Sequence, residues 1–439
     1  MSGPGNSAPQ PVDFSSVESS NTAQSLVLPY STADMPGVGG IIKRDADDFI
    51  VEELPLYEPA GEGTHTYFQI EKRGLSTLAA IERIARDLGK RPRDIGYAGL
   101  KDAQAVTRQT LSVEHIDPQR VEALALARIQ VLWVNRHRNK LKLGHLKGNR
   151  FVLKIRDLGR EAAAPAAEII DALSRRGVPN YFGPQRFGAR GDNAEIGHAV
   201  LMGDFDEAVR VMLGRPGPLD HDDILRAREL FEQGRYTQAA DTWPRPFREQ
   251  IRVCRAMAKP DGDAKRAWAT VTHTLRRLYL SAEQSRLFNA VLASRIRGID
   301  RLLEGDMAWK HVNGACFRVE DIAAEQPRCD AFEISPTGPL FGGRMTEATG
   351  SPGELEADVL ERAGLDRDRF HRQGGIKLDG ARRPLRVPLN DPVVTDDRDN
   401  DSHFLRFSFS LPPGSYATCV TREICKNDPP FAGADLIGP

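Results

Sequence analysis

The sharpest local feature of the sequence is the run Gly96-Tyr97-Ala98-Gly99-Leu100-Lys101-Asp102. Its two glycines let backbone approach a ligand closely. An Asp follows a Lys in a turn between apolar stretches. The same residues also make an ordinary surface turn in which Asp caps a backbone N–H. A second run, Val178 to Gly188 (VPNYFGPQRFG), sets three aromatics among Asn, Gln and Arg. Such a set can hold a flat polar base by stacking and edge hydrogen bonds, or pack as an aromatic-lined turn. Between Arg136 and Lys154 lie Arg136, Arg138, Lys140, Lys142, Lys147, Arg150 and Lys154 with no Asp or Glu among them. That stripe suits phosphate contact or a solvated face. Finally, LPPGSYAT (Leu411 to Thr418) ends an alternating stretch, and Gly414 permits a tight turn that would present Tyr416.

Other chemistries lack their signatures. The chain has no H-E-x-x-H, no G-x-S-x-G and no phosphate loop ending in Gly-Lys-Ser/Thr. Its ten His residues show no metal-ligand spacing, so no metal is expected. Its five cysteines form no C-x-x-C pair and are odd in number, which speaks against a disulfide framework and suits a reducing cytoplasm. No apolar run approaches membrane-spanning length, and no Lys or Arg precedes Lys43, so neither a membrane span nor a secretion signal is expected. With 60 Lys and Arg against 61 Asp and Glu, binding to a polyanion must come from local clustering.

The elements that must position these groups follow from periodicity. Residues 1–28 are rich in Ser, Pro, Gly and Asn and read as a disordered tail. GIIKRDADDFIVEE (Gly40 to Glu53) is strand-like around an acidic turn, and HTYFQIEKRG (His65 to Gly74) alternates like a strand. A helix follows, with Ser76 or Thr77 as N-cap and Gly89 near its end. A strand pair is expected from Ile129–Val134 and Arg150–Ile155. Helical stretches dominate from about Asn193 to His371, and β-like character returns after Arg372. Strands and helices mixed from the start make an α+β (mixed α/β) protein. A β, helix, β drift suits one domain interrupted by another, or three in series.

Taken together, GYAGLKDAQAVTRQ, KLKLGHLKGNRF, VPNYFGPQRFG, YLSAEQSRLFNAVLASRI and FSLPPGSYATCVTREI stand in the order found in the TruD family, which makes pseudouridine-13 in tRNA. KRDADDFIVEE also resembles that family's N-terminal motif, and the resemblance runs from about Gly37 to Ile424. It implies a pseudouridine-synthase core with a mainly antiparallel sheet, interrupted by a helix-rich insertion domain. The expected division is 29–192 and 373–439 for the catalytic domain and 193–372 for the insertion. It implies Asp102 as the catalytic carboxylate, with Lys43 beside it. Phe49, Asn180, Phe182 and Tyr416 are implied as substrate-binding residues. Arg136, Arg138, Lys140, Lys142 and Lys147 are the candidates for the RNA backbone. Two positions depart from the family pattern: Ala46-Asp47 replaces the usual Pro-Glu, and Tyr416 stands where some members carry Phe.

The implied reaction explains the residue types. Uridine is released from its N-glycosidic bond, rotated and rejoined through carbon, so no electrons or groups are exchanged and no cofactor is expected. One carboxylate serves as nucleophile or as base at the sugar. A monomeric cytoplasmic enzyme with tRNA as its partner is the expectation. The alternatives are a non-catalytic RNA-binding or RNA-folding protein on the same scaffold, and a glycosidase or nucleosidase with a second acid among Asp47, Asp48, Glu52 and Glu53.

Overall fold

The computed structural model describes residues 28–373, 375–399 and 403–427. Apart from Leu28, the N-terminal tail expected over 1–28 lies outside the described residues. The chain divides into two units. One comprises Ser31–Val178 and Val387–Asn427; the other is Pro179–Arg386 with a short lead-in ending at Tyr30.

The first unit is built on one mixed sheet. Its early strands are β1 (Ile41–Ile42), β2 (Phe49–Pro55), β3 (His65–Arg73), β4 (Gly96–Tyr97), β5 (Val106–Glu114), β6 (Ile129–His137) and β7 (Leu146–Arg156). The strands Asn390–Arg398 and His403–Leu411 come from the far end of the sequence. The order across the sheet is 390–398, 403–411, β7, β2, β5, β3, β6, with β1 on β7 and β4 on β5. Only the β2–β5 pair is parallel among the named strands of this sheet; the other pairs are antiparallel. Segments 129–134 and 150–155, expected as a strand pair, do not pair with each other. Both are strands, but β6 pairs with β3 while β7 pairs with β2 and 403–411. Three strands lie between them because the chain after β6 crosses the sheet instead of turning back as a hairpin.

Period-2 alternation on β3 buries Phe68, Ile70 and Lys72 on one face, with Glu71 half-buried and Arg73 exposed. Helix α1 (Thr77–Asp87) lays Ala80, Ile81, Ile84 and Ala85 on the same core as Phe68, Ile70, Leu111 and Val113. Its N-cap is Ser76, whose hydroxyl accepts the Ala79 N–H. Entry to β2 is fixed by Asp48, a wholly buried carboxylate that takes both Nε and Nη2 of Arg156 at 2.9 Å.

The second unit is helix-rich. Its longest helix, His273–Arg295, buries Leu280, Leu287, Phe288 and Val291 and packs on the helix Asn193–Met202. Gly197 makes that approach: a Cβ there would lie 2.1 Å from the Tyr279 carbonyl oxygen. The core includes Phe231, Trp243, Trp268 and Phe341. A four-stranded sheet completes the unit, in the order Cys316–Arg318, Met307–Lys310, Ile334–Leu340, Ala381–Pro384. No helix among the described residues is long and apolar enough to cross a membrane.

Candidate active site

The parallel β2–β5 pair creates the site. Parallel strands have their N-terminal ends side by side, so the segments that enter them must meet. Ile50 is in register with Val106. The turn before β2 carries Lys43, and the loop before β5 carries Asp102. Residues 59 apart in sequence are thereby joined: Lys43 Nζ lies 3.0 Å from Asp102 Oδ2. Lys43 adopts the left-handed region at φ 56°, a conformation that costs a non-glycine residue roughly 1–2 kcal/mol. Its ammonium also lies 4.2 Å above the centroid of the Phe49 ring, a cation–π contact that holds it over the start of β2. Phe49 is itself 3% exposed and rests against Phe151.

The loop bearing Asp102 is tied down on both sides of the carboxylate. The Lys101 N–H donates to Thr77 Oγ1 at 2.9 Å, and that hydroxyl donates to Gln109 Oε1 on β5 at 2.9 Å. Lys101 Nζ is buried; it lies 2.9 Å from Glu53 Oε2 and donates to Asn149 Oδ1 at 2.6 Å. Glu53 and Asn149 face each other across β2 and β7. The Asp102 carbonyl accepts from Lys72 Nζ at 3.0 Å. Burial pushes the Lys72 ammonium down to about 8, the charge of Asp102 works to raise it, and Lys101 works to lower it. The Asp102 side chain keeps a third of its surface open, so a reactant can reach a carboxylate whose base is locked.

The remaining expected residues stand on other elements of the chain. Tyr416 is the half-buried N-cap of the helix Ala417–Cys425, just past a turn in which Gly414 takes φ 75°. Among the described residues it makes no hydrogen bond or ring contact with Lys43, Phe49 or Asp102. Asn180 and Phe182 belong to the helix-rich unit. Asn180 Nδ2 donates to the Pro384 carbonyl at 2.9 Å, and its Oδ1 accepts from Arg383 Nη2 at 2.5 Å. Phe182 meets Phe288 edge to face at 5.6 Å, and Arg383 lies 4.2 Å from its ring centroid. Asn289 clamps the Phe182 backbone, accepting its N–H at 2.9 Å and donating to its carbonyl at 3.0 Å.

The basic run is spread by the sheet. Arg136 is on β6 at the sheet edge, and Lys147 is on β7 beyond three intervening strands. Arg138 is paired with Glu62, and Lys140 donates to the Arg93 carbonyl. Lys142 and Lys147 are exposed and have no ionic partner among the described residues. Of the acids that a paired-carboxylate site would draw on, Asp47 is taken by Arg73, Asp48 by Arg156 and Glu53 by Lys101.

Sequence reasoning missed Lys72 and the partner set of Lys101. The signal for Lys72 was present: a lysine at the inward position of the Phe68, Ile70, Lys72 alternation.

The first unit is thus a mixed α+β fold that sets a partly open carboxylate, Asp102, beside the Lys43 ammonium and the Phe49 ring. The family model for tRNA pseudouridine synthase D (TruD) matches residues 26–424. The chain is 49% identical over 401 residues to a tRNA pseudouridine synthase D of Geobacter metallireducens, covering 91% of this chain and 98% of that one. It is 48% identical over 397 residues to that of Geobacter sulfurreducens, covering 90% and 96%. The crystal structure of the putative tRNA pseudouridine synthase D (TruD) of Methanosarcina mazei superposes with a TM-score of 0.80 at 27% identity, covering 91% of this chain and 96% of that one. The chain belongs to the TruD family.

Proposed function

We propose that this protein isomerises uridine to pseudouridine in tRNA, at position 13 of the D arm, with Asp102 as the catalytic carboxylate. The observation that carries the reading is the Lys43–Asp102 pair, 3.0 Å apart, with Asp102 on a loop anchored through Lys101 and Lys72, in a TruD-family chain. The reaction breaks the bond from the ribose C1′ to N1 of uracil, turns the base, and joins C1′ to C5. The proton lost from C5 balances the proton gained at N1, so no external reagent enters. An ionised Asp102, held by Lys43, acts at the sugar as nucleophile or base. The base must leave its stack first, which costs a few kcal/mol. Phe182, Tyr416 and Phe49 are assigned to the pocket for the turned-out nucleotide. Asn180 fixes the local geometry there or contacts the nucleotide. Arg136, Arg138, Lys140, Lys142 and Lys147 are assigned to phosphates. The catalytic domain is assigned to 29–192 and 373–439, the insertion to 193–372, and the enzyme to the cytoplasm as a monomer without metal or cofactor.

The test is nucleotide-resolution mapping of pseudouridine in tRNA incubated with purified protein. Modification confined to position 13, and absent when that uridine is replaced by cytidine, is the expected result. Tight binding without any pseudouridine would refute it.

A further inference from the structure

Lys72 is a large electrostatic expense that the proposed chemistry leaves unused. It is fully buried on β3, in line with Phe68 and Ile70. Taking an ammonium out of water costs several kcal/mol unless close partners offset it. Its hydrogen-bond partners are neutral: the Leu75 carbonyl at 2.5 Å and the Asp102 carbonyl at 3.0 Å. Among the described residues no carboxylate lies within ion-pair distance of it. The charges that act on it are those of Asp102 and Lys101, and Lys101 already has Glu53. A leucine or methionine would fill the same strand position without that cost, so core packing does not account for a lysine there. What it alone supplies is a grip on the main chain of Asp102, together with a positive charge close to that residue.

Resting on the reading of Asp102 above, we infer that Lys72 is a positioning residue for the reaction. It locks the Asp102 backbone through its carbonyl while Lys43 holds the carboxylate. Asp102 is thus held at two points from two different segments: Lys43 stands in the turn between β1 and β2, and Lys72 is the next-to-last residue of β3. A loop anchored only through Lys101 could still turn about the Asp102 backbone and move the carboxylate. Misplacement on the order of an ångström is enough to cost about a hundredfold in rate.

The test compares the parent, Lys72→Met and Asp102→Asn by single-turnover kinetics with enzyme in excess, alongside tRNA Kd and thermal unfolding. Methionine approaches the length of lysine but neither donates nor carries charge. The expected result is a Lys72→Met protein that stays folded, binds tRNA within about twofold of the parent, and turns over about thirtyfold more slowly. A purely structural lysine would instead lower the Tm and leave the rate per folded molecule unchanged; that outcome overturns the inference. Should Lys72→Met not fold, Lys72→Gln carries the same comparison. Asp102→Asn separates the two levels. If it keeps the parental rate, the reading of Asp102 fails. If it is inactive while folded Lys72→Met runs at the parental rate, only the inference about Lys72 fails.

Discussion

Replacing Lys43 by Met removes the cation that holds Asp102 while keeping a side chain to cover Phe49. At 3.0 Å, Coulomb attraction between unit charges amounts to about 1.4 kcal/mol in a water-like dielectric and about 5.5 kcal/mol at an effective dielectric of 20. The two side chains are 21% and 33% exposed, so solvent screens the pair and the lower part of that range applies. A loss of about 2 kcal/mol corresponds to a fall of about thirtyfold in rate. The fold should tolerate the change, because Lys43 stands in a turn ahead of β2 and the Asp48–Arg156 clamp next to it is untouched. The assay is single-turnover release of tritium from C5 of labelled uridine in tRNA, with Kd measured separately. The defect is expected in the chemical step. A rate within twofold of the parent, or a loss wholly in tRNA affinity, would refute the role given to the Lys43–Asp102 pair.

Asp48→Asn should destabilise the protein by about 2 kcal/mol in urea unfolding, because the buried Arg156 loses the charge of Asp48 while keeping its pairing with Asp399. Burial is the largest single influence and works to raise the Asp48 carboxyl, but the hydrogen bonds from Arg156 and the Asp45 N–H together with the charges of Arg156 and Lys154 outweigh it and hold the group below its ordinary 3.8. Its contribution is therefore present above that value and lost as pH falls through the lower folded one, so stability measured between about pH 5 and 2 should be flatter in the variant. Replacing Lys142 and Lys147 by Ala should flatten the log Kd against log salt plot by about 0.7–0.9 for each phosphate no longer neutralised, for related and unrelated RNAs alike; an unchanged slope returns them to a solvated face. Phe182→Leu should slow single turnover about tenfold or more with tRNA Kd nearly intact, and a parental rate would leave Phe182 as a core aromatic between Phe288 and Arg383.

Local pattern made much of the sheet unit legible. Alternation marks β3, the Ser76 cap and apolar spacing mark α1, and the Gly-x-Lys-Asp run marks the loop that carries Asp102. The pairing of strands was less legible, since register between distant segments depends on the whole sheet. Nothing local in β2 or β5 says that they run parallel, yet that pairing is what brings Lys43 to Asp102. The run from Arg136 to Lys154 shows the converse. Contiguous in sequence, it is divided between the edge strand β6 and the inner strand β7, and Glu62 and Asp48 approach from other segments to pair with Arg138 and Lys154. Lys72 was visible as a lysine at an inward position, but its partners are main-chain carbonyls, which leave no mark in residue identity.

The most direct test of the central claim is pseudouridine formation at position 13 by purified parent and Asp102→Asn proteins on the same tRNA, with folding and Kd confirmed for both. Asparagine keeps the size of the side chain and removes its charge, so modification by the parent and none by the variant, at equal tRNA binding, is the predicted result. Parental turnover by folded Asp102→Asn would contradict it.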